Sequence, residues 1–300
     1  MSKPVYYRED KMENCLIIIN KSAGTSDKIS FDFVKKRLGN GYKYYCHTIP
    51  TDGEPNLDEY GALAVCGGDG TLSNVLNKVY DKPKDVFYFP SGTLNDKAKA
   101  GKRRDRKALT IDENHAVVGI VKDSGETVFS YVFAAGSFTP IGYETSVKKK
   151  KEFGVLAYLS EVVKEYKIHR IPLTVDADGK RFEGDFTLVM LLKSPRCFGF
   201  NFNKAYDSNK ETGHLILIRS PKHDGLLGKI EMFFPFFKVF FLGLKKERDG
   251  NVVFKEFECA DMVLKDETVF CKDGEKSIKQ GEFHVCFKKS ECSLNLMRKN

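Results

Sequence analysis

The chain has 300 residues, 41% of them hydrophobic and 24 of them Phe, which fills one large or two ordinary cores and excludes a disordered chain. Its 49 Lys and Arg exceed its 41 Asp and Glu by 8, a balance that favours anionic partners: nucleotide phosphates, nucleic acid or acidic membrane surfaces. Eight cysteines (Cys15, Cys46, Cys66, Cys197, Cys259, Cys271, Cys286, Cys292) lie scattered without a CxxC pair and read as reduced, buried thiols rather than a metal site or disulfide frame.

In chain order, the start "MSKPVYYREDKMEN" lacks the apolar core of a secretory signal, so an intracellular chain is expected. "CLIIIN" (15–20) reads as a strand buried on both faces, followed by the turn "KSAGTSDK". A helix through "ISFDFVKKRL" places Phe31, Val34 and Leu38 on one face. "YKYYCHTI" (42–49) and "ALAVC" (62–66) read as strands, "LSNVLNKVY" as a helix and "DVFYFP" (85–90) as a fourth strand. This alternation predicts an α/β domain with a mostly parallel sheet, its functional loops at the strands' C-terminal ends. From about residue 110 the segments "ETVFSYVFAAG", "IPLTVDADGKRFEG", "DFTLVMLLKS", "HLILIRS", "NVVFKEFECADMVL", "TVFCKDGE" and "EFHVCFKK" predict a second, largely antiparallel β domain, with a hairpin at Asp178-Gly179. Helices at 153–166 and within 229–243 interrupt it. The "MFFPFFKVFFLGL" run (232–244), broken by Pro235 and Lys238, falls short of the ~20 residues that span a bilayer. The expected division is 1–109 for nucleotide binding and 110–300 for the β-rich domain, with 287–300 returning to the first.

"CGGDGTLSNV" (66–75) sets Gly67, Gly68 and Gly70 around Asp69, between a strand and a helix. Glycines there let a ligand approach the backbone closely, and the N–H groups of the helix start favour phosphate. A carboxylate among them would be repelled by that ligand unless it holds Mg²⁺ or takes a proton from an attacking hydroxyl. On these residues alone, a tight turn with Asp69 capping the helix is the alternative. A GxxxxGK[ST] P-loop, a GxGxxG after the first strand and the HRD and DFG kinase loops are all missing.

"GGDGT" (67–71) followed by "PSGTLND" (90–96) resembles the diacylglycerol kinase catalytic domain shared with sphingosine and ceramide kinases. "NKSAG" (20–24) resembles that family's nucleotide loop, "FGVLAYLSEVV" its stretch after a mid-chain Gly-rich segment, and "CKDGE" (271–275) its DGE motif. NAD kinases share GGDGT but differ from PxGTxND, and are the weaker likeness. The resemblance implies a two-domain lipid kinase with ATP in the cleft between domains and Mg²⁺ as cofactor. It implies Asp69 and Glu275 as the catalytic acidic pair near the γ-phosphate, and Asp69 with Asp96 toward the metal. Asn20, Ser22, Gly24, Gly67, Gly68, Gly70, Thr71, Thr93 and Asn95 fall around the nucleotide, where a parallel sheet would bring three strand ends together. On their own, Thr93 and Asn95 fit ordinary turn chemistry, and the "DG" before Glu275 fits an exposed hairpin turn.

The chain departs from the family pattern at Asn74, where a glutamate is usual, and at "NDKAK", with Lys97 and Lys99. A further family Asp-Gly is matched here by Thr212-Gly213, with Glu211 or Asp207 as candidate substitutes. These departures keep an inactive nucleotide- or lipid-binding relative as the alternative to an ATP-dependent kinase that phosphorylates a lipid hydroxyl, diacylglycerol or sphingoid-like. The basic runs 97–107 and 148–151 read either as solvated surface or as attachment to an anionic membrane. The expected setting is cytoplasmic and peripheral at a membrane, with a lipid substrate. No pattern for nucleic acid accompanies the charge.

Overall fold

The structure, a computed structural model, describes residues 12–24, 29–92, 95–100, 115–139 and 167–297. Thr93, residues 101–107 and 148–151 of the basic runs, and the helix expected at 153–166 lie outside them.

Short, largely apolar runs form the parallel part: β1 (Glu13–Asn20), β2 (Tyr42–Ile49), β3 (Ala62–Gly67) and β4 (Asp85–Pro90). β3 is buried along its whole length, as a strand covered on both faces must be. Helix α1 (Phe31–Leu38) starts where the Ser30 hydroxyl accepts from Phe33 N–H, and α2 (Asp69–Val79) packs Leu72, Val75, Leu76 and Val79 inward. The strands order as β2-β1-β3-β4, and the register sets Asn20 beside Ile49, Ile19 beside Cys66 and Gly67 beside Pro90. The loops after β1, β3 and β4 therefore share one edge of the sheet, where open α/β sheets bind ligands. A short helix, α3 (Asp96–Ala100), follows β4.

The remainder is antiparallel: β5 (His115–Lys122), β6 (Glu126–Phe129), β7 (Val132–Gly136), β8 (Ile171–Ala177), β9 (Lys180–Leu192), β10 (Arg196–Cys197), β11 (Phe200–Asn201), β12 (Gly213–Arg219), β13 (Val252–Phe257), β14 (Cys259–Lys272) and β15 (Glu275–Leu296). Helix α4 (Gly225–Phe237) and a π-helical turn (Lys238–Leu242) lie between β12 and β13. Asp178 and Gly179 both take positive φ in the β8–β9 hairpin, as the sequence predicts. β15 pairs with β14 and β5 antiparallel, then through Ser293–Leu296 with β4 in parallel. Pairing runs unbroken from β13 to β2, so strands assigned to two domains share one sheet. The antiparallel core is aromatic, with Phe133 stacked 4.3 Å from Phe270 among Phe129, Phe283 and Phe287.

Three expectations are corrected. "ETVFSYVFAAG" is two strands, broken at Ser130 and Tyr131, whose N–H groups turn to the Asp273 carboxylate. β5 and the β10–β11 pair were not predicted; β10 and β11 have two residues each, too few to carry a pattern. Cys259 and Cys286, opposite each other on β14 and β15, form a disulfide, whereas Cys15, Cys66, Cys197, Cys271 and Cys292 are buried and Cys46 is exposed.

Candidate active site

The loops converge through backbone. Asn20 Nδ2 donates to Thr71 Oγ1 at 2.9 Å, tying the end of β1 to the first turn of α2, and Ser22 N–H donates to Asn20 Oδ1 at 2.9 Å. Gly24 closes the described part of that loop. Gly68 is the N-cap of α2, and no side chain among the described residues caps the helix's first N–H groups, the kind of donor that suits a phosphate. A Cβ on Gly67 would stand 2.5 Å from the Thr71 side chain, and one on Gly70 would meet the Asp273 carbonyl at 3.4 Å. Ser91 N–H donates to Gly67 O at 2.7 Å, and Asn95, at φ 49°, donates through Nδ2 to Gly92 O at 2.6 Å.

A Cβ on Gly92 would lie 2.6 Å from Gly68 Cα, a backbone atom that cannot swing aside. Gly92→Ala is therefore expected to cost about 1–3 kcal/mol by overpacking and to part the two glycine loops. Thermal melts read the stability, and ATP calorimetry should show weakened binding. Gly125→Ala, with open space around it, is the control.

Asp69 opens α2 as its first residue and is not the cap, contrary to the turn-and-cap alternative. It is 8% exposed; Oδ1 accepts from Tyr88 OH at 3.2 Å and Oδ2 from Asp96 N–H at 2.8 Å. Burial first, then the neighbouring Asp96 carboxylate, push its carboxyl up to about 7, against the opposing Asp96 N–H bond. Asp96 is fully buried; Gly199 N–H donates to Oδ2 at 3.0 Å, and Arg196 Nε stands 3.5 Å from Oδ1, an ion pair without hydrogen-bond geometry. Burial raises its carboxyl as well. Glu275, half-buried at the start of β15, accepts from Asn74 Nδ2 at 2.7 Å. The Asn that departs from the family pattern thus supplies a donor to Glu275 where a glutamate would set two carboxylates together.

The structure adds residues the sequence reading missed. Asp273 is buried, not an exposed turn residue: its carboxylate accepts from Tyr131 N–H at 3.0 Å, Val132 N–H at 2.9 Å and Ser130 N–H. It also adds to the negative charge acting on Asp69. Arg196 is held by Gly199 O at 2.8 Å and faces Asp96. Lys97, counted with the basic surface run, is instead buried and donates to Ser130 O at 3.1 Å.

At the Thr212 departure, Thr212 Oγ1 donates to Glu256 at 2.6 Å, Glu211 accepts from Lys289 N–H and Asp207 from Asn209 N–H. The buried Lys193 ammonium instead gathers the carbonyls of Asp207, Lys210 and Thr212 at 3.1, 2.5 and 2.9 Å. Lys193→Met would strand those carbonyls, and an expected loss of about 2–4 kcal/mol should appear in urea melts.

Asp96 Oδ1 and Asn95 Oδ1 are buried and accept no hydrogen bond among the described residues. A carboxylate oxygen and an amide oxygen are the ligand types Mg²⁺ takes, although Asp96 Oδ1 also faces the Arg196 guanidinium at 3.5 Å.

Residues 14–118, which include both glycine loops with Asp69 and Asp96, match the model of the diacylglycerol kinase catalytic domain. The chain is 29% identical over 167 residues to a diacylglycerol kinase of Staphylococcus carnosus, covering 54% of each chain. It is 28% identical over 193 residues to a diacylglycerol kinase of Staphylococcus aureus, covering 59% of this chain and 60% of the relative. The matches thus span little more than half the length of these relatives. A crystal structure of a diacylglycerol kinase from Bacillus anthracis superposes with a TM-score of 0.60 over 96% of this chain and 98% of that one, at 15% identity, which shows a shared fold. Residues 14–118 are thus similar to the diacylglycerol kinase catalytic domain, and the chain shares the fold of a solved diacylglycerol kinase.

Proposed function

We propose that the protein is an ATP-dependent lipid kinase that transfers the γ-phosphoryl group to a lipid hydroxyl, on diacylglycerol or a sphingoid-like lipid. The observation that carries this reading is Asp69: a carboxyl held near neutrality, against two glycine loops and the open start of a helix. A group with that pKa is deprotonated often enough at pH 7 to act as a base, and protonates readily in doing so. In this reading Asp69 takes the proton of the lipid hydroxyl as its oxygen bonds to the γ-phosphorus and the bond to ADP breaks. Glu275, fixed by Asn74, orients that hydroxyl. Gly67, Gly68, Gly70 and the first turn of α2 cradle the phosphates; Asn20, Ser22, Gly24, Thr71, Thr93 and Asn95 surround the nucleotide. Of the two carboxylates assigned to Mg²⁺, Asp96 has one oxygen without a hydrogen bond, Oδ1, which faces Arg196 at 3.5 Å, while both oxygens of Asp69 are already bonded. Mg²⁺ bound there would neutralise phosphate charge.

A second reading, a nucleotide-binding relative without turnover, is favoured by one observation: Lys193 occupies the loop where the family pattern has an aspartate. Labelled ATP and Mg²⁺ with mixed micelles of diacylglycerol, sphingoid bases, ceramide or monoacylglycerol separates the two. Label in any of these lipids supports the kinase. No label in all four, with ATP binding intact by calorimetry, rejects it for the second reading.

A further inference from the structure

Helix α4 and the π-helical turn after it are largely apolar yet buried on only one side. Gly228, Met232, Phe236 and Val239 recur at helical spacing on the buried side, against Phe138 and Ile168 among others. On the remaining faces Leu226, Leu227, Phe233, Phe234, Phe241 and Leu242 are 53–75% exposed. A contiguous exposed apolar patch of this kind marks an interaction surface. No helix among the described residues is long and apolar enough to cross a membrane.

The charges around this face select its occupant. Lys222, Lys229, Lys238, Lys245 and Lys246 lie on or beside it. The three acids of the same stretch are each paired within the protein: Asp224 with Arg170, Glu231 with His223 and Glu247 with Lys255. An apolar face among lysines matches an anionic bilayer surface, with acyl chains below and negative headgroups around. A two-fold dimer through this face would bring the same lysines against themselves.

We infer that α4 and its π-helical turn dock the protein onto an anionic lipid bilayer, lying along the interface with Leu227, Phe234 and Phe241 inserted. The docked surface adjoins the carboxylates. Phe200 packs 5.7 Å from Phe240 and 5.6 Å from Phe241, and the preceding residue, Gly199, holds Asp96 through its N–H. Delivery of a lipid hydroxyl to Asp69 along this route rests on the kinase reading; docking itself does not.

The test is co-sedimentation of the full chain with phosphatidylcholine vesicles, with and without about 30% phosphatidylglycerol, in the absence of ATP and acceptor lipid. Leaving both out keeps the result independent of phosphotransfer. The wild type should bind the anionic vesicles and bind pure phosphatidylcholine far less. Leu227→Ser/Phe234→Ser/Phe241→Ser should lower binding at least about 100-fold, because three large apolar side chains no longer enter the bilayer. Lys238→Gln/Lys245→Gln/Lys246→Gln should lower it on the order of 100-fold at low salt, with a weaker dependence on salt. The inference is overturned if the wild type stays unbound, or if the triple Ser variant binds as well as wild type. It is equally overturned if light scattering shows a wild-type dimer that the triple Ser variant converts to monomer, since the face would then join two copies of the chain.

Discussion

Asp69→Asn is expected to lower lipid phosphorylation by about 10²–10⁴-fold while leaving the fold intact. Asn keeps the size of Asp and can still accept the Asp96 N–H through its amide oxygen, so the loss would reflect charge and basicity alone. Stability should move the other way. The folded carboxyl sits near 7 and the unfolded one near 3.8. Below about pH 4 it is protonated in both states, and its contribution to stability is fully present. As pH rises toward 7 the unfolded chain releases the proton and the folded chain does not, so stability falls through that window by roughly 2–4 kcal/mol and then levels off. Asp69→Asn removes this dependence. Its melting temperature should match wild type near pH 4–5 and exceed it at pH 8, as read by calorimetric melts at the two pH values. A variant as active as wild type would confine Asp69 to a structural role.

Asp273→Ala is expected to produce the largest stability loss of any single change in the site. Its carboxylate holds the N–H groups of Ser130, Tyr131 and Val132, where the chain leaves one strand and enters the next. Truncation leaves three buried donors unpaired, at about 1–3 kcal/mol each. It also places Ala at φ 49°, a conformation Asp tolerates better. A total near 4 kcal/mol is a large share of the stability of an ordinary domain. Urea unfolding should show the midpoint falling. Glu275→Gln, two residues on, should leave the midpoint close to wild type and lower turnover. The adjacent acids of "DGE" would then separate into one that holds the fold and one that meets the substrate.

What the sequence made legible was local. The apolar runs of β1 and β3 named the parallel strands, and the glycines around Asp69 named the loop. The family resemblance carried by "GGDGT" and "PSGTLND" named the facing loop, and both follow strands that a parallel sheet aligns at one edge. What it hid depends on distant partners. Asp273 reads as a turn residue because its turn is local, whereas its three N–H donors lie 141 to 143 positions away. Arg196 and Gly199 meet Asp96 across about a hundred residues, with no periodicity to announce them. Lys97 belongs to a charge run and still turns inward, since composition says nothing about which member of a run points to the core. The Phe-rich stretch was visible as apolar. That most of its surface faces solvent follows only from how α4 packs.

The central claim is that Asp69 receives the proton of the acceptor hydroxyl, and the pH dependence of kcat/KM for lipid phosphorylation tests it most directly. Initial rates at saturating ATP and Mg²⁺ would be measured from pH 5 to pH 9 with whichever micellar lipid takes up label. The predicted profile rises with an apparent pKa near 7 as the Asp69 carboxyl deprotonates, then reaches a plateau. A profile that is flat from pH 5 to pH 8, or that falls as pH rises through 7, would contradict it.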